Sequence, residues 1–323
     1  MDFEQYVVQK QLNNVSKKIH YESQFLEENT ELNIPTDTDL VILNHSFANN
    51  HTTQQYELLR KKVGTKDFIY LTSNYFYWKN KHPNIIYFSF YFYFFLDLPY
   101  VDYDIKETRP YKLMCFNLNP WLHRTLNLLK ISKKKWFDEC KFSFHWTHVT
   151  HNSDTRPIGY NTIAELNPGQ RNELDKFQFP IVVEDNWVLG GNFYVLNQSK
   201  LYGQVKIDYV TENNIKQEFI TEKIWKPIFS GQLFYVLGPK NYIQHLRDLG
   251  IDVFDDYIDH SYDIEDDLDN KIDLILNDID KIMVMDLDKI WNDTYQRRKN
   301  NFDLVRSKDF ANKLCEDLIK KVS

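Results

Sequence analysis

The chain has 323 residues, of which 42% are hydrophobic and 26% are charged, and its formal net charge is −7. This balance is typical of a globular protein long enough for two domains, and it excludes a disordered or fibrous chain. The acidic total argues against a broad nucleic-acid-binding face, although it is compatible with a local basic patch.

Three scattered cysteines, Cys115, Cys140 and Cys315, predict a reducing compartment without structural disulfides, and no CxxC pair indicates zinc. The first residues lack the basic start and apolar run of a signal peptide. The most apolar run, residues 87–98, is shorter than the roughly 20 residues that a membrane-spanning helix needs. We therefore expect a cytoplasmic protein without a transmembrane segment.

Strands alternate with helices through the first 108 residues, which we interpret as one α/β domain. A helix and a loop are expected in residues 1–35, where Pro35 ends the pattern. The following pattern predicts strands at residues 39–46, 68–71 and 85–88, and a helix at residues 53–63. Open α/β sheets bind ligands at the carboxyl ends of their strands, and His45 stands at one such end.

The alternating pattern starts again after residue 108. The predicted elements are a strand at residues 112–116, a helix at 121–129, a strand at 206–210, a helix at 242–249, a short strand at 253–254, an Asp-rich helix at 264–285, and one or two closing helices from Leu287. Residues 132–200 hold few long periodic runs and are read as an insertion or an acceptor-binding element. We therefore expect two domains, 1–108 and 109–290, with C-terminal helices, 291–323, that pack across them.

Residues 219–239 read as a loop, a short helix, a tight turn and a buried strand at 233–237. Thr221 is a suitable N-cap, Glu222 and Lys223 follow in the first turn, and Gly231 stands where a left-handed residue ends the helix. Pro227 is expected to kink this helix. A first turn that carries a lysine can bind an anion, and a glutamate beside it can accept hydrogen bonds from sugar hydroxyls. On spacing alone, the alternative interpretation is an ordinary helix start with a solvated Glu-Lys pair.

Three motifs resemble the α-1,3-fucosyltransferase type of glycosyltransferase and its viral and bacterial relatives. The first is Asn119-Pro120 followed by Arg124 in a helix with an apolar tail. The second is a strand that ends in residues 210–213, Val-Thr-Glu-Asn, similar to the Phe-Glu-Asn signature of that family. The third is residues 219–223, Phe-Ile-Thr-Glu-Lys, followed by a helix, a buried strand and Gly-Pro. Together the motifs cover about residues 110–285, and the segment between the first two is longer than in compact bacterial members.

The resemblance implies a GT-B fold, in which two Rossmann-like domains face a central cleft. It implies metal-independent transfer, usually with inversion, from a GDP- or UDP-linked sugar to a glycan or other hydroxyl acceptor, with no cofactor. The 1–108 domain would then bind the acceptor and the 109–290 domain the donor, in the host cytoplasm if the protein is viral. The donor-binding residues implied are Arg124 and Lys223 for the diphosphate, Glu222 for sugar or ribose hydroxyls, and Thr221, Glu212 and Asn213 around them.

The catalytic base must take a proton from the acceptor hydroxyl, which requires an imidazole or a carboxylate. His45 is the candidate that stands at a strand's carboxyl end, and Glu222 is the second residue that we place in the catalytic set. The remaining candidates are Asp97, Asp102, Asp104 and Glu107.

Two segments invite a metal interpretation that we do not favour. The histidines of residues 145–151 do not share one face of a strand or a narrow face of a helix, and no HExxH motif accompanies them. The acidic residues 263–273 lack the glycine and oxygen spacing of a calcium loop and are expected to form a solvated helix face. No metal site is predicted.

Two other functions stay open. One is a catalytically inactive nucleotide-sugar-binding protein that reuses the fold. The other is a GT-B enzyme that glycosylates modified nucleic-acid bases, which would need a basic surface. The basic residues considered for it are Lys133, Lys134, Lys135, Arg297 and Arg298.

Overall fold

The computed structural model describes residues 12, 16–22, 32–45, 57, 60–72, 84–88, 92, 104–117, 121–144, 166–176, 201–215 and 220–322. The chain divides into two compact units. The first comprises Met1–Leu98, Gln217–Glu222 and Arg306–Ser323, and the second comprises Pro99–Lys216 and Lys223–Val305. In its described residues each unit has one parallel β-sheet, which confirms the predicted α/β class with two such units.

The described residues of the first unit form four strands in the order β1-β2-β3-β4, all parallel. They are β1 (Ile19–Glu22), β2 (Leu40–His45), β3 (Asp67–Thr72) and β4 (Ile85–Tyr87). The last three confirm the predicted strands. The helix expected in residues 1–35 is wrong at β1, because Ile19–Glu22 pairs in register with Leu40–Leu43 of the apolar strand β2. Pairing with a buried neighbour outweighs the weak local preference of this short segment.

Where the second unit is described, it has four parallel strands in the order β6-β5-β7-β8. They are β5 (Tyr111–Asn117), β6 (Lys141–Phe144), β7 (Val205–Thr211) and β8 (Leu233–Leu237). Every residue of β7 and β8 is buried, as expected for parallel strands that are covered on both faces. The predicted strands at 112–116, 206–210 and 233–237 are confirmed.

Eight α-helices are described from end to end, and residues 57 and 60–63 are helical within the helix predicted at residues 53–63. The eight are α1 (Leu122–Ile131), α2 (Pro168–Lys176), α3 (Glu222–Phe229), α4 (Tyr242–Asp248), α5 (Leu268–Val284), α6 (Leu287–Asp293), α7 (Tyr295–Arg306) and α8 (Lys308–Val322). Short 3-10 helices occupy Phe137–Glu139 and His260–Ile264. None of the helices in these ranges has both the length and the apolar character that crossing a bilayer requires.

Apolar side chains of β2 and β3 form the core of the first unit. Val41 and Leu43 pack with Phe68, Tyr70 and Val63, and Leu32 and Ile34 cover this cluster. The C-terminal helix α8 contacts β4 in the same unit, and its Phe310 packs edge-on against Phe92 with ring centroids 5.3 Å apart.

Helices cover both faces of the second sheet. Tyr209 and Tyr235 are register partners on one face; Tyr209 donates to Asn127 of α1 and Tyr235 to Asp278 of α5. Lys206, which alternates with Tyr209 along β7, contacts Asp288 of α6 on the other face. The sheet is therefore the middle layer of an α/β sandwich.

Three expectations for the C-terminal part are corrected. Residues 253–254 are not a strand but lead into a turn at residues 255–257, because Phe254 has a φ of 65° and its carbonyl accepts the hydrogen bonds of Tyr257 and Ile258. The single helix at 264–285 is replaced by the 3-10 helix His260–Ile264 and α5, which starts at the N-cap Asp267. Three closing helices, α6 to α8, follow instead of one or two.

Candidate functional site

The carboxyl ends of β5 and β7 lie side by side at the point where the strand order of the second sheet reverses. The chain passes from β5 to β6 on one side and returns to β7 on the other. The Thr211 hydroxyl, at the end of β7, donates to the side-chain oxygen of Asn117, at the end of β5. Parallel α/β sheets bind ligands in the crevice that such a reversal opens.

Helix α1 starts next to this point. The side chain of its N-cap residue, Trp121, accepts no hydrogen bond from the first backbone N–H groups of the helix. No acidic residue lies in its first turn, where His123 and Arg124 stand instead. By contrast, Asp267 and Asp286 cap α5 and α6 through their side chains. The positive end of the α1 dipole therefore lies beside a cation, an arrangement that favours a bound anion.

The Arg124 guanidinium reaches from α1 to the end of β7. Its Nη2 donates to the carbonyl of Thr211 (2.8 Å), the carbonyl of Glu212 (3.2 Å) and Oδ1 of Asn213 (3.0 Å). Only 1% of Arg124 is exposed. Arg124 is thus buried, and it joins α1 to β7.

Lys223 is the second residue of α3 and is 8% exposed, so it too is buried. Its Nζ lies 4.0 Å from Oε2 of Glu212. Thr221 is fully buried just before the helix, and Glu222, its first residue, is half-buried. From Lys223 onward every residue of α3 is buried.

Glu212 connects these groups. Its carboxylate is fully buried; Oε1 accepts from the Tyr242 hydroxyl at 2.5 Å and Oε2 from the Asn213 backbone N–H at 3.2 Å. Its own N–H donates to Leu237 at the end of β8. Glu212 therefore fixes the ends of β7 and β8, and the structure brings it together with Arg124, Asn213 and Lys223.

His123 belongs to the same cluster and was not singled out from the sequence. Its Nε2 donates to the Glu212 carbonyl at 2.7 Å. Burial, with the nearby charges of Arg124 and Lys223, lowers the pKa of His123 to about 3. The ring is therefore neutral near pH 7, and its position beside Arg124 was the one sequence signal that could have identified it.

The described part of this cluster contains two buried cations, Arg124 and Lys223, beside the buried Glu212 carboxylate and the neutral His123 ring. Asp208, in the middle of β7, adds little negative charge, because burial raises its pKa to about 8 and leaves it largely protonated at pH 7. An anionic ligand at this place would interact favourably with both cations.

The other catalytic candidates lie elsewhere in the chain. His45 is the last residue of β2 in the first unit, at the carboxyl end of a parallel strand, and its catalytic role stays a prediction. Asp104 and Glu107 are exposed, and Asp104 accepts from the Lys106 N–H in a turn. Asp97 and Asp102 lie outside the described residues.

Of the five basic residues considered for nucleic-acid binding, three pair with carboxylates, one is buried, and Lys135 is exposed. Lys133 pairs with Glu173, Lys134 with Asp280, and Arg297 with Asp252 and Asp256. Arg298 is fully buried, where it donates to the carbonyls of Ile105, Gly231 and Trp291.

The acidic segment 263–273 is largely used inside the fold. Asp263 is buried and accepts from the N–H groups of Ile243 and Gln244 at the start of α4. Asp269 and Asp273 pair with Lys130, so the solvated face expected here is only partly present. Within the described ranges no three His, Cys, Asp or Glu side chains are grouped to hold a metal ion. Residues 145–151 lie outside those ranges.

No protein-family model matches the sequence, and no curated protein is significantly similar to it. Among solved structures, a DNA-modifying β-glucosyltransferase studied with and without uridine diphosphoglucose aligns with a TM-score of 0.46 and 9% identity, over 89% of this chain and 75% of that one. A point mutant of the T4 phage enzyme in complex with UDP-glucose aligns with a TM-score of 0.46 and 11% identity, over 96% of this chain and 84% of that one. Because these values are low, the function proposed below is derived from the residues of this chain.

Proposed function

We propose that this protein is a glycosyltransferase whose second unit binds the diphosphate of a nucleotide-sugar donor. One observation carries the proposal. Arg124 from the first turn of α1 and Lys223 from the first turn of α3 both contact Glu212, at the reversal point of a parallel sheet. Two cations and two helix N-termini at one place suit a group with two adjacent negative charges.

The chemistry of glycosyl transfer explains why such a group of cations is useful. The leaving nucleoside diphosphate gains negative charge as its bond to the sugar breaks. Without a metal, preorganised cations and backbone N–H groups must stabilise that charge. In this proposal Arg124 and Lys223 do so, Glu222 accepts hydrogen bonds from a sugar or ribose hydroxyl, and His45 is the candidate base for the acceptor. Inversion at the anomeric carbon would follow from direct attack by that acceptor.

Two buried donors on α1 support a ligand rich in acceptor atoms. The Trp121 indole N–H and the Thr125 hydroxyl have no hydrogen-bond partner among the described residues. They stand three residues before and one after Arg124, and positions 121, 124 and 125 share one helical face. An unsatisfied buried donor costs about 1–3 kcal/mol, and phosphate oxygens accept from such groups.

The test compares two buried lysines on the same helix. Thermal unfolding would be followed with GDP, UDP, CMP and their sugars for the wild type, Lys223→Met and Lys226→Met. A nucleoside diphosphate at about 100 times its Kd should stabilise the wild type by about 2.7 kcal/mol. We expect Lys223→Met to lose most of this stabilisation and Lys226→Met, which is also buried, to retain it. Wild-type stabilisation of Lys223→Met, or no response of the wild type to any nucleotide, would contradict the proposal.

Release of the nucleoside diphosphate from the donor that binds best then separates an enzyme from an inactive binding protein. Glycan and DNA acceptors should be compared at several salt concentrations, because binding to nucleic acid weakens steeply as salt rises.

A further inference from the structure

A tyrosine on a neighbouring helix fixes the carboxylate beside Lys223. Tyr242 donates to Oε1 of Glu212 at 2.5 Å, and the Asn213 N–H reaches Oε2 at 3.2 Å. The Lys223 ammonium lies 4.0 Å from Oε2, which is longer than a hydrogen bond. The carboxylate is therefore hydrogen-bonded by the tyrosine and the backbone, and it attracts the ammonium without binding it directly.

Tyr242 itself is held in place. It is the buried first residue of α4, and Asp263 binds the N–H groups of Ile243 and Gln244, the next two residues. Its ring packs closely on Gly238 at the end of β8, where a Cβ would lie 3.0 Å from Cδ2. The hydroxyl is thus directed at Glu212 by contacts that do not involve Lys223.

This geometry matters because a carboxylate competes with phosphate for a lysine. A charge-assisted hydrogen bond between Glu212 and Lys223, formed in a buried place, would be strong. The tyrosine hydrogen bond opposes that contact, because it holds one carboxylate oxygen on the side of α4.

We propose that Tyr242 is a positioning residue for diphosphate binding. Its hydrogen bond holds the Glu212 carboxylate close enough to orient the Lys223 ammonium. The carboxylate stays too far away to form a direct hydrogen bond that would compete with the diphosphate for the ammonium. This inference rests on the proposed function. It adds Tyr242 to the residues of the donor site and gives the Glu212 carboxylate the role of positioning Lys223.

The chain offers a matched control. Tyr235 donates to Oδ2 of Asp278 at 2.9 Å, and it is also a buried tyrosine bonded to a buried carboxylate in the same unit. Tyr235→Phe removes the same kind of hydrogen bond away from Lys223. A purely structural effect of losing the hydroxyl should be alike in both variants.

The experiment measures binding of inorganic pyrophosphate by titration calorimetry to the wild type, Tyr242→Phe, Tyr235→Phe, Glu212→Gln and the Tyr242→Phe/Glu212→Gln double variant. We expect Tyr242→Phe to weaken pyrophosphate binding about tenfold, the effect of one charge-assisted hydrogen bond. Tyr235→Phe should stay within about twofold of the wild type. In the Glu212→Gln background Tyr242→Phe should have no further effect, because the tyrosine acts through the carboxylate.

Four outcomes would overturn the inference. Equal losses in Tyr242→Phe and Tyr235→Phe would show a structural effect. A full Tyr242→Phe effect in the Glu212→Gln background would show that the tyrosine does not act through Glu212. If the wild type binds neither pyrophosphate nor any nucleoside diphosphate, the proposed function fails as well, whereas wild-type binding with an unaffected Tyr242→Phe variant rejects the positioning role alone.

Discussion

Burial couples ligand binding to folding at Arg124 and Lys223. Arg124 donates to two backbone carbonyls and one side chain at the end of β7, so it contributes to the structure that it is proposed to use for binding. Removing one partner of a buried charged group leaves the other uncompensated and is strongly destabilising. We therefore do not expect Arg124→Ala to leave the fold intact, and Lys223→Met is compared with Lys226→Met because both variants remove a buried lysine from the same helix.

The Thr125 hydroxyl provides a test that separates a ligand contact from a structural one. Thr125→Val keeps the shape and the helix preference but removes a buried donor without a described partner. We expect the free energy of unfolding in urea to be unchanged or raised by about 1 kcal/mol.

Thr294→Val is the control for this change. The buried Thr294 hydroxyl donates to the Ile290 carbonyl at 2.8 Å, so its loss should lower the free energy of unfolding by about 1 kcal/mol. A comparable loss in Thr125→Val would show that the Thr125 hydroxyl is already satisfied in the fold.

Helix α3 is anchored at its C-terminal end while its first turn carries Lys223. Arg109 donates to the Ser230 carbonyl and Arg298 to the Gly231 carbonyl, directly after the helix. Both guanidinium groups lie over the ring of Trp291, at 4.6 and 3.3 Å from its centroid. Cations at the C-terminal end stabilise the helix dipole, and these contacts fix where the opposite end points.

Gly231 is the element-scale test of this anchor. It has a φ of +65°, and a Cβ there would lie 2.7 Å from Cγ2 of Ile105. Gly250 also has a positive φ, +90°, but its Cβ would meet Leu304 at an ordinary 3.7 Å. We expect Gly231→Ala to lower the free energy of unfolding by about 1–2 kcal/mol more than Gly250→Ala, because it adds overlap to the shared backbone strain. If denaturant unfolding gives the same decrease in the free energy of unfolding for both variants, the Ile105 side chain moves aside without destabilising the fold.

Over the whole molecule, two buried titratable groups give stability opposite dependences on pH. The pKa of His123 is lowered from 6.5 to about 3, so the unfolded chain binds a proton that the folded chain does not. The free energy of unfolding therefore decreases as pH falls from 6.5 to about 3. The pKa of Asp208 is raised from 3.8 to about 8, so the folded chain holds a proton that the unfolded chain releases. The contribution of Asp208 is therefore lost as pH rises from about 4 to 8.

Asp208→Asn should remove the loss of stability that Asp208 causes as pH rises, since an amide has the shape of the protonated acid and does not ionise. Between pH 5 and pH 8 the urea midpoint of the wild type should fall more than that of Asp208→Asn. The effect of His123 is common to both proteins and cancels in the comparison. Parallel pH profiles would show that Asp208 ionises normally in the folded chain.

Local patterns in the sequence were sufficient to predict the elements on which the site is built. The apolar run at 233–237 is the buried strand β8, and Gly231 has the left-handed conformation that its place after a helix predicts. These features depend on neighbours along the chain, so period and turn chemistry identify them. The short strand β1 escaped prediction because its four residues have little preference of their own and gain their structure from pairing with β2.

The sequence by itself determined which residues begin α1 and α3 and where the apolar strands run. Only the tertiary structure decided that Arg124 meets Glu212, which lies 88 positions away, and that Tyr242 reaches the same carboxylate. It also decided that these groups are buried. The physical reason is that such contacts depend on strand order and on the layers above the sheet, which spacing along the chain does not encode.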